Sequence, residues 1–232
     1  MRRPRLVAFT GAGISAESGL RTFRDGDGLW EEYRIEDVAT PEAWQRDPKL
    51  VLRFYDERRD QVLKAAPNAA HEALARLEEA FDVRIVTQNI DDLHERAGSS
   101  YVLHLHGEIR KARSTADPDL LLPVEGGILP WGATCPLGSQ LRPHVVWFGE
   151  AVPLLPQAAR IVGEAEVLIV VGTSLQVWPA AGLVDMAPPD CSRYLVDPKA
   201  PAWTASAIVH IKRSASEGVP WLADRLLAGE VP

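Results

Sequence analysis

An α/β fold with a mostly parallel sheet is the architecture this sequence predicts, and three observations carry it. Short apolar runs alternate with stretches of good helix formers along most of the 232 residues. The first apolar run leads directly into a glycine turn, Gly11-Ala12-Gly13, that opens a helix. Two segments then break the rhythm, the pattern of a smaller unit inserted into a larger one.

In chain order, residues 6–10 read as the first strand. Residues 25–65 carry helical pattern and no strand, most clearly over 48–64. Residues 68–80 place Ala70, Leu74 and Leu77 at helical spacing just after Pro67. Further strands are expected at 83–87, 102–105, 145–148, 167–171, 194–196 and 208–211, with a last helix at 219–227. Residues 110–143 read as loop, because prolines and glycines recur from Pro118 to Gly138. The two irregular segments are expected to pack together as a small second domain.

Composition excludes several classes. With 46% hydrophobic and 25% charged residues, the chain is an ordinary globular one with enough apolar side chains for a core. A net charge of -7 argues against a nucleic-acid partner. Cys135 and Cys191 are too few for a disulfide framework. The run at 6–9 is too short for a secretory segment and the one at 167–171 far too short to span a membrane. A cytoplasmic protein with no membrane association is the expectation.

The turn Gly11-Ala12-Gly13-Ile14-Ser15-Ala16 has the G-x-G-x-x-A spacing that lets a backbone approach a pyrophosphate at a helix N-terminus. Alone it reads equally well as a plain tight turn. A dehydrogenase would need an acidic residue about 20 positions later at the end of a second strand. Glu31, Glu32 and Glu36 stand near that distance, but no strand precedes them. A dinucleotide therefore fits and hydride transfer does not.

Five runs taken together resemble the sirtuins. They are residues 11–24 (GAGISAESGLRTFR), 87–91 (TQNID), 106–108 (HGE), 142–150 (RPHVVWFGE) and 172–174 (GTS), in the family's order over almost the whole chain. The resemblance implies a Rossmann-like NAD-binding domain from residues 1–24, 66–108 and 144–232. Residues 25–65 and 109–143 would form the small inserted domain. It implies an NAD-dependent protein-lysine deacylase that releases nicotinamide and leaves the acyl group on ADP-ribose. An ADP-ribosyltransferase or NAD glycohydrolase is the alternative on the same site.

Carried over residue by residue, the resemblance makes His106 the general base that activates a ribose hydroxyl, suited by an ordinary pKa near 6.5. Asn89 is the second catalytic residue. Gly11, Ala12, Gly13, Ala16, Glu17, Thr22, Phe23, Arg24 and Trp30 would meet NAD, Phe23 as an apolar shield and Arg24 as a phosphate partner. Gln88, Ile90, Asp91, Gly172, Thr173 and Ser174 join them. Asp197 would face the adenosine ribose, where the family commonly has Asn, and Ala215 the adenine. Val146, Trp147, Phe148 and Gly149 would bind the acyl-lysine substrate.

Tyr55 and Arg58, one turn apart on the expected helix, share a face. They match the Tyr-x-x-Arg pair of the class III sirtuins, which act on succinyl-, malonyl- or glutaryl-lysine. A guanidinium fork and a phenol can hold an acyl carboxylate. The plainer reading is a solvated face on which Asp56 and Glu57 pair with the arginines. The acylated lysines expected as partners are acetyl, succinyl and malonyl forms.

Besides Asp197, the pattern departs from the family in a second place. Four cysteines usually hold a structural zinc, and here Cys135 stands alone, with Ser114 about where the first would be. One thiolate makes no tetrahedral site, so structural zinc is expected to be absent. Leu120, Leu121, Leu122, Ile128 and Trp131 are then the expected apolar anchors of the small domain. His104 and His106 form a His-x-His pair without further ligands in sight, and His71 and His94 read as surface or packing residues.

Overall fold

The computed structural model describes residues 2–21, 33–173, 175, 178–199 and 208–230. Six parallel strands form the main sheet: β1 (Arg5–Thr10), β2 (Asp82–Thr87), β3 (Val102–His104), β7 (Val167–Val171), β8 (Ser192–Val196) and β9 (Ile208–Ile211). Their order is β3-β2-β1-β7-β8-β9. The central strands β1 and β7 are apolar over nearly their whole length because both faces are covered. Val7, Phe9, Leu168 and Val170 point into one core with α7 (Leu155–Gly163). Leu6, Ala8, Ile169 and Val171 point into the other, with α5 (Ala69–Arg76) and α8 (Ala215–Leu227).

Among the described residues, α1 (Gly13–Ala16), α2 (Ile35–Val38), α3 (Pro41–Arg46), α4 (Pro48–Lys64) and α5 lie between β1 and β2. Capping explains the sharp starts of α3 and α4. Thr40 Oγ1 accepts from Ala43 N–H and Asp47 Oδ1 from Leu50 N–H, each followed by a proline at the first helical position. The helix expected over 48–64 is α4. That expected over 68–80 is α5 followed by a 3₁₀ turn, Leu77–Glu79. The last helix begins at Ala215, four residues before the expected start.

The segment read as loop instead holds a three-stranded antiparallel sheet, β5-β4-β6. Its strands are β4 (Gly107–Ser114), β5 (Leu121–Pro123) and β6 (Leu141–Val145). Pro123 and Pro143 sit on edge strands, where a missing N–H costs no ladder bond. The strand expected at 145–148 ends at Val145, because Trp147 and Glu150 close a turn and Phe148 N–H leaves to bond Ala39 O.

The anchors of this unit also differ from expectation. Ile128 and Trp131 are 70% and 51% exposed and Leu121 lies at the surface, while Leu120 and Leu122 are only partly buried. Its core is Leu52, Ala112, Val124, Leu129, Cys135 and Leu141. The fully buried Arg59 adds polar ties: it pairs with Asp56 at 2.6 Å and donates to Ile109 O and Gly127 O. Asp56 also accepts from Leu129 N–H. Ser114 Oγ, Ser139 Oγ and Cys135 Sγ close a triangle with sides of 2.8, 3.1 and 3.3 Å.

At the heart of the main sheet, the turns after β1 and β7 touch backbone to backbone. A Cβ on Gly172 would stand 2.3 Å from Ile14 N, and its φ is +60°. Gly172→Ala is expected to cost at least about 2 kcal/mol in chemical denaturation, from left-handed backbone strain plus the clash. A cost within experimental error would show that the two turns can separate freely.

Candidate active site

The strand order reverses its progression between β1 and β7, the place where parallel sheets leave a ligand crevice at their C-terminal ends. Gly11 N–H donates to Val171 O at 3.0 Å and Gly13 N–H to Gly172 O at 2.8 Å. Ile14 and Ser15 N–H bond back to Gly11 and Ala12. Four amides are thus spent on seating the turn, and the glycines serve close packing as well as ligand approach. A Cβ on Gly13 would lie 2.7 Å from Gly172 Cα.

After β2 the chain runs along the mouth of this crevice. Gln88 ties three elements together: its N–H donates to Thr10 O, its side-chain amide to Thr173 Oγ1 at 3.0 Å, and its carbonyl faces His106 Nδ1 at 3.0 Å. A carbonyl only accepts, so the imidazole proton sits on Nδ1 and Nε2 carries the lone pair. Burial lowers the His106 pKa, against the raising effect of the Gln88 carbonyl. A neutral, oriented base results.

Ser15, 2% exposed, accepts from Asn89 Nδ2 and donates to Asp91 Oδ2, both at 3.1 Å. Asn89 N–H donates to Thr87 Oγ1 and Leu93 N–H to Asp91 Oδ1. Burial raises the Asp91 pKa, opposed by the Leu93 amide and the Ser15 hydroxyl. Sequence reasoning quoted Ser15 within its motif but gave it no role, and that motif was the only signal of its bridging position.

His104 does not pair with His106. Its Nδ1 bonds Asn89 O at 2.8 Å and its Nε2 bonds Glu95 at 2.7 Å. Burial works to lower its pKa, but Glu95 and Asn89 leave it raised. Among the described residues, no group of three or more His, Cys, Asp or Glu could hold a metal.

The other expected cofactor contacts spread along the sheet ends. Ile90 O accepts from Ile109 N–H. Asp197, just past β8, accepts from Lys199 N–H at 2.8 Å, and Ala215 is buried at the start of α8. Glu17 accepts from Ser216 N–H at 2.9 Å and so caps α8. Burial works to raise its carboxyl, yet bonds from Ser216 and Ser214 hold it below the usual range. Thr22, Phe23, Arg24, Trp30 and Ser174 lie outside the described residues.

On the substrate side, Val146 N–H donates to His106 O at 2.9 Å, so the 146–149 segment runs beside the base. Phe148 is exposed and Gly149 has φ +89°. Tyr55 is not on a solvated face: it is 4% exposed and accepts from Trp147 Nε1 at 3.1 Å. Burial pushes its phenol up to about 12, against the opposing charge of Arg58. Arg58 is half-buried; burial brings its guanidinium down to about 10, with Tyr55 and Asp91 near enough to oppose the shift. Asp56 pairs with Arg59, and Glu57 accepts from Tyr33 OH.

Behind the crevice, His71 and His94 are fully buried with ring centroids 4.9 Å apart. His94 Nε2 bonds Thr10 Oγ1 at 3.0 Å. Burial lowers His71 from 6.5 to about 4 and His94 well below 6.5. The unfolded chain binds protons here that the native state refuses, so stability is present above pH 6.5 and lost as pH falls toward 4. The expected loss from His71 alone is about 3 kcal/mol. Urea unfolding at pH 7 and pH 4.5 measures it, and a His71→Phe variant that keeps the full slope would remove His71 from the account.

The Sir2 family model matches residues 11–179. An NAD-dependent protein deacylase from Bacteroides thetaiotaomicron is 50% identical over 229 residues, covering 96% of this chain and 97% of the relative. A Sir2 homologue mutant solved with ADP-ribose superposes with a TM-score of 0.90 at 41% identity, covering 99% and 96%. A Sir2 homologue solved with NAD gives 0.88, also at 41% identity, covering 98% and 91%. With more than half its length matched and the six-stranded parallel sheet in place, the chain belongs to the Sir2 family.

Proposed function

We propose that this chain is an NAD-dependent protein-lysine deacylase that removes acetyl and, preferentially, the acidic succinyl and malonyl groups. Nicotinamide and O-acyl-ADP-ribose are the products. The observation that carries this reading is His106, whose tautomer is set by Gln88 O so that Nε2 keeps its lone pair; Gln88 stands one residue along the chain from Asn89, which is joined to Asp91 through Ser15. NAD, when bound, supplies the ribose–nicotinamide bond that breaks. Asn89 and Asp91 hold the carboxamide and ribose there, and His106 takes the proton of a ribose hydroxyl. The glycine turn after β1 opens a helix at the C-terminal edge of the sheet, where a pyrophosphate binds in folds of this kind, and Gly11, Gly13 and Gly172 let it pack directly on the turn after β7.

In this reading residues 1–24, 66–108 and 144–232 form the NAD-binding domain, and 25–65 with 109–143 the inserted one. Of the segment 146–149, Val146, Phe148 and Gly149 meet the acyl-lysine, while Trp147, 2% exposed, faces inward. Tyr55 and Arg58 take the carboxylate of an acidic acyl chain. Cytoplasmic placement accords with two unpaired cysteines.

The zinc of the family does not fit. One thiol and two hydroxyls, already bonded to each other, are no tetrahedral donor set. Metal analysis of the purified protein is expected to find no stoichiometric zinc; about one zinc per chain would contradict this.

The activity itself is tested by nicotinamide release. Release that requires an acylated peptide is expected. Equal release without peptide would favour NAD glycohydrolysis, and transfer of ADP-ribose to protein would favour the transferase reading.

A further inference from the structure

Trp147 lies 92 residues from Tyr55 in sequence, yet its indole donates directly to the Tyr55 hydroxyl oxygen at 3.1 Å. An indole nitrogen is a donor only. It therefore fills one acceptor position on the phenol and cannot take the phenol proton. The Tyr55 O–H must turn away from Trp147 and stay available as a donor. A carboxylate, which only accepts, is the ligand that such a phenol and the neighbouring Arg58 guanidinium suit.

The indole is not free to swing away. Arg142 stacks on its ring with Cζ 3.3 Å from the centroid, and Trp44 packs against it at 5.8 Å. Glu150 takes both terminal nitrogens of Arg142, at 2.7 and 3.1 Å, and Arg113 at 3.0 Å. The same carboxylate accepts from the Trp147 main-chain N–H at 2.8 Å. Trp147 and Arg142 are buried, at 2% and 9% exposed, while Glu150, Arg113 and Trp44 on their outer side are partly exposed.

We propose that Trp147 is a positioning residue for acidic acyl groups: its indole N–H, braced by Arg142 and Glu150, aims the Tyr55 hydroxyl proton at the terminal carboxylate of the acyl chain. This rests on the reading of Tyr55 and Arg58 as an acidic-acyl pocket. An acetyl group has no terminal carboxylate, so the device acts on one class of substrate.

The test compares kcat/KM on one peptide in succinylated and acetylated forms, for wild type, Trp147→Phe, Tyr55→Phe and the double variant. Phenylalanine keeps an aromatic ring and removes the N–H. The succinyl-to-acetyl ratio is expected to fall about three- to tenfold in Trp147→Phe, the size of one lost hydrogen bond. It should fall no further when Trp147→Phe is added to Tyr55→Phe. Both rates come from the same sample, so any unfolded fraction cancels in the ratio. An unchanged ratio, or an equal fall with and without the Tyr55 hydroxyl, overturns the proposal. A ratio that responds to Tyr55→Phe and Arg58→Met but not to Trp147→Phe rejects the indole alone. A ratio that responds to none of them rejects the acidic pocket as well.

Discussion

Replacing His106 by alanine is expected to slow turnover of an acylated peptide by about 10²–10⁴-fold, the range a positioned general base contributes. The geometry makes this residue hard to substitute. Gln88 O fixes the proton on Nδ1, and Gln88 is itself held by Thr10 and Thr173, so the lone pair on Nε2 is aimed by three strand ends at once. A pH profile gives the same claim a second reading. A base must be neutral, and burial lowers the His106 pKa below 6.5 against the pull of the Gln88 carbonyl. The acid limb of kcat/KM should therefore lie below pH 6.5, with no loss as pH rises through neutrality, and His106→Ala should abolish that limb. Turnover within a few-fold of wild type in His106→Ala would remove His106 from the chemistry.

Arg58→Met is expected to lower desuccinylation by about one to two orders of magnitude, the worth of charge-assisted hydrogen bonds to a carboxylate in a partly buried site. Methionine keeps an apolar stem of comparable length and removes the charge. Deacetylation should fall far less, because an acetyl group offers that guanidinium nothing to bind. Steady-state rates on the two acylated peptides measure this. Equal losses on both would demote Arg58 to a structural role near Asp91, whose charge it also feels.

Much of the main sheet was legible because its central strands, β1 and β7, are apolar on both faces. The helix over 48–64 could be read from Asp47 and Pro48 at its start. The crevice residues Gln88, Asn89, Asp91, His106 and Thr173 carried their signal in short motifs placed just after strands, and the fold brings them together. The β5-β4-β6 sheet was hidden for a physical reason. In β4 the inward residues Ile109 and Ala112 alternate imperfectly with Glu108, Arg110, Lys111 and Arg113, and its partner strands carry prolines that only edge positions tolerate.

Long-range polar contacts were hidden more deeply. Ser15 meets Asn89 and Asp91 more than 70 residues on. Two buried imidazoles face each other from α5 and from α6 (Leu93–Arg96). Arg59 ties α4 to the small sheet at Ile109 and Gly127. None of these leaves a local pattern, since each depends on where separate elements cross. The exposed Ile128 and Trp131 show the converse: within one Pro- and Gly-rich stretch Val124 and Leu129 are buried anchors while Ile128 and Trp131 face solvent, and Leu52 joins them from α4.

The most direct test of the whole account is mass spectrometry of one lysine peptide, succinylated and acetylated in parallel, incubated with the protein and NAD. Loss of both acyl groups, faster for succinyl, with stoichiometric nicotinamide and O-acyl-ADP-ribose, is the predicted result. Intact acyl peptides alongside consumed NAD would contradict it.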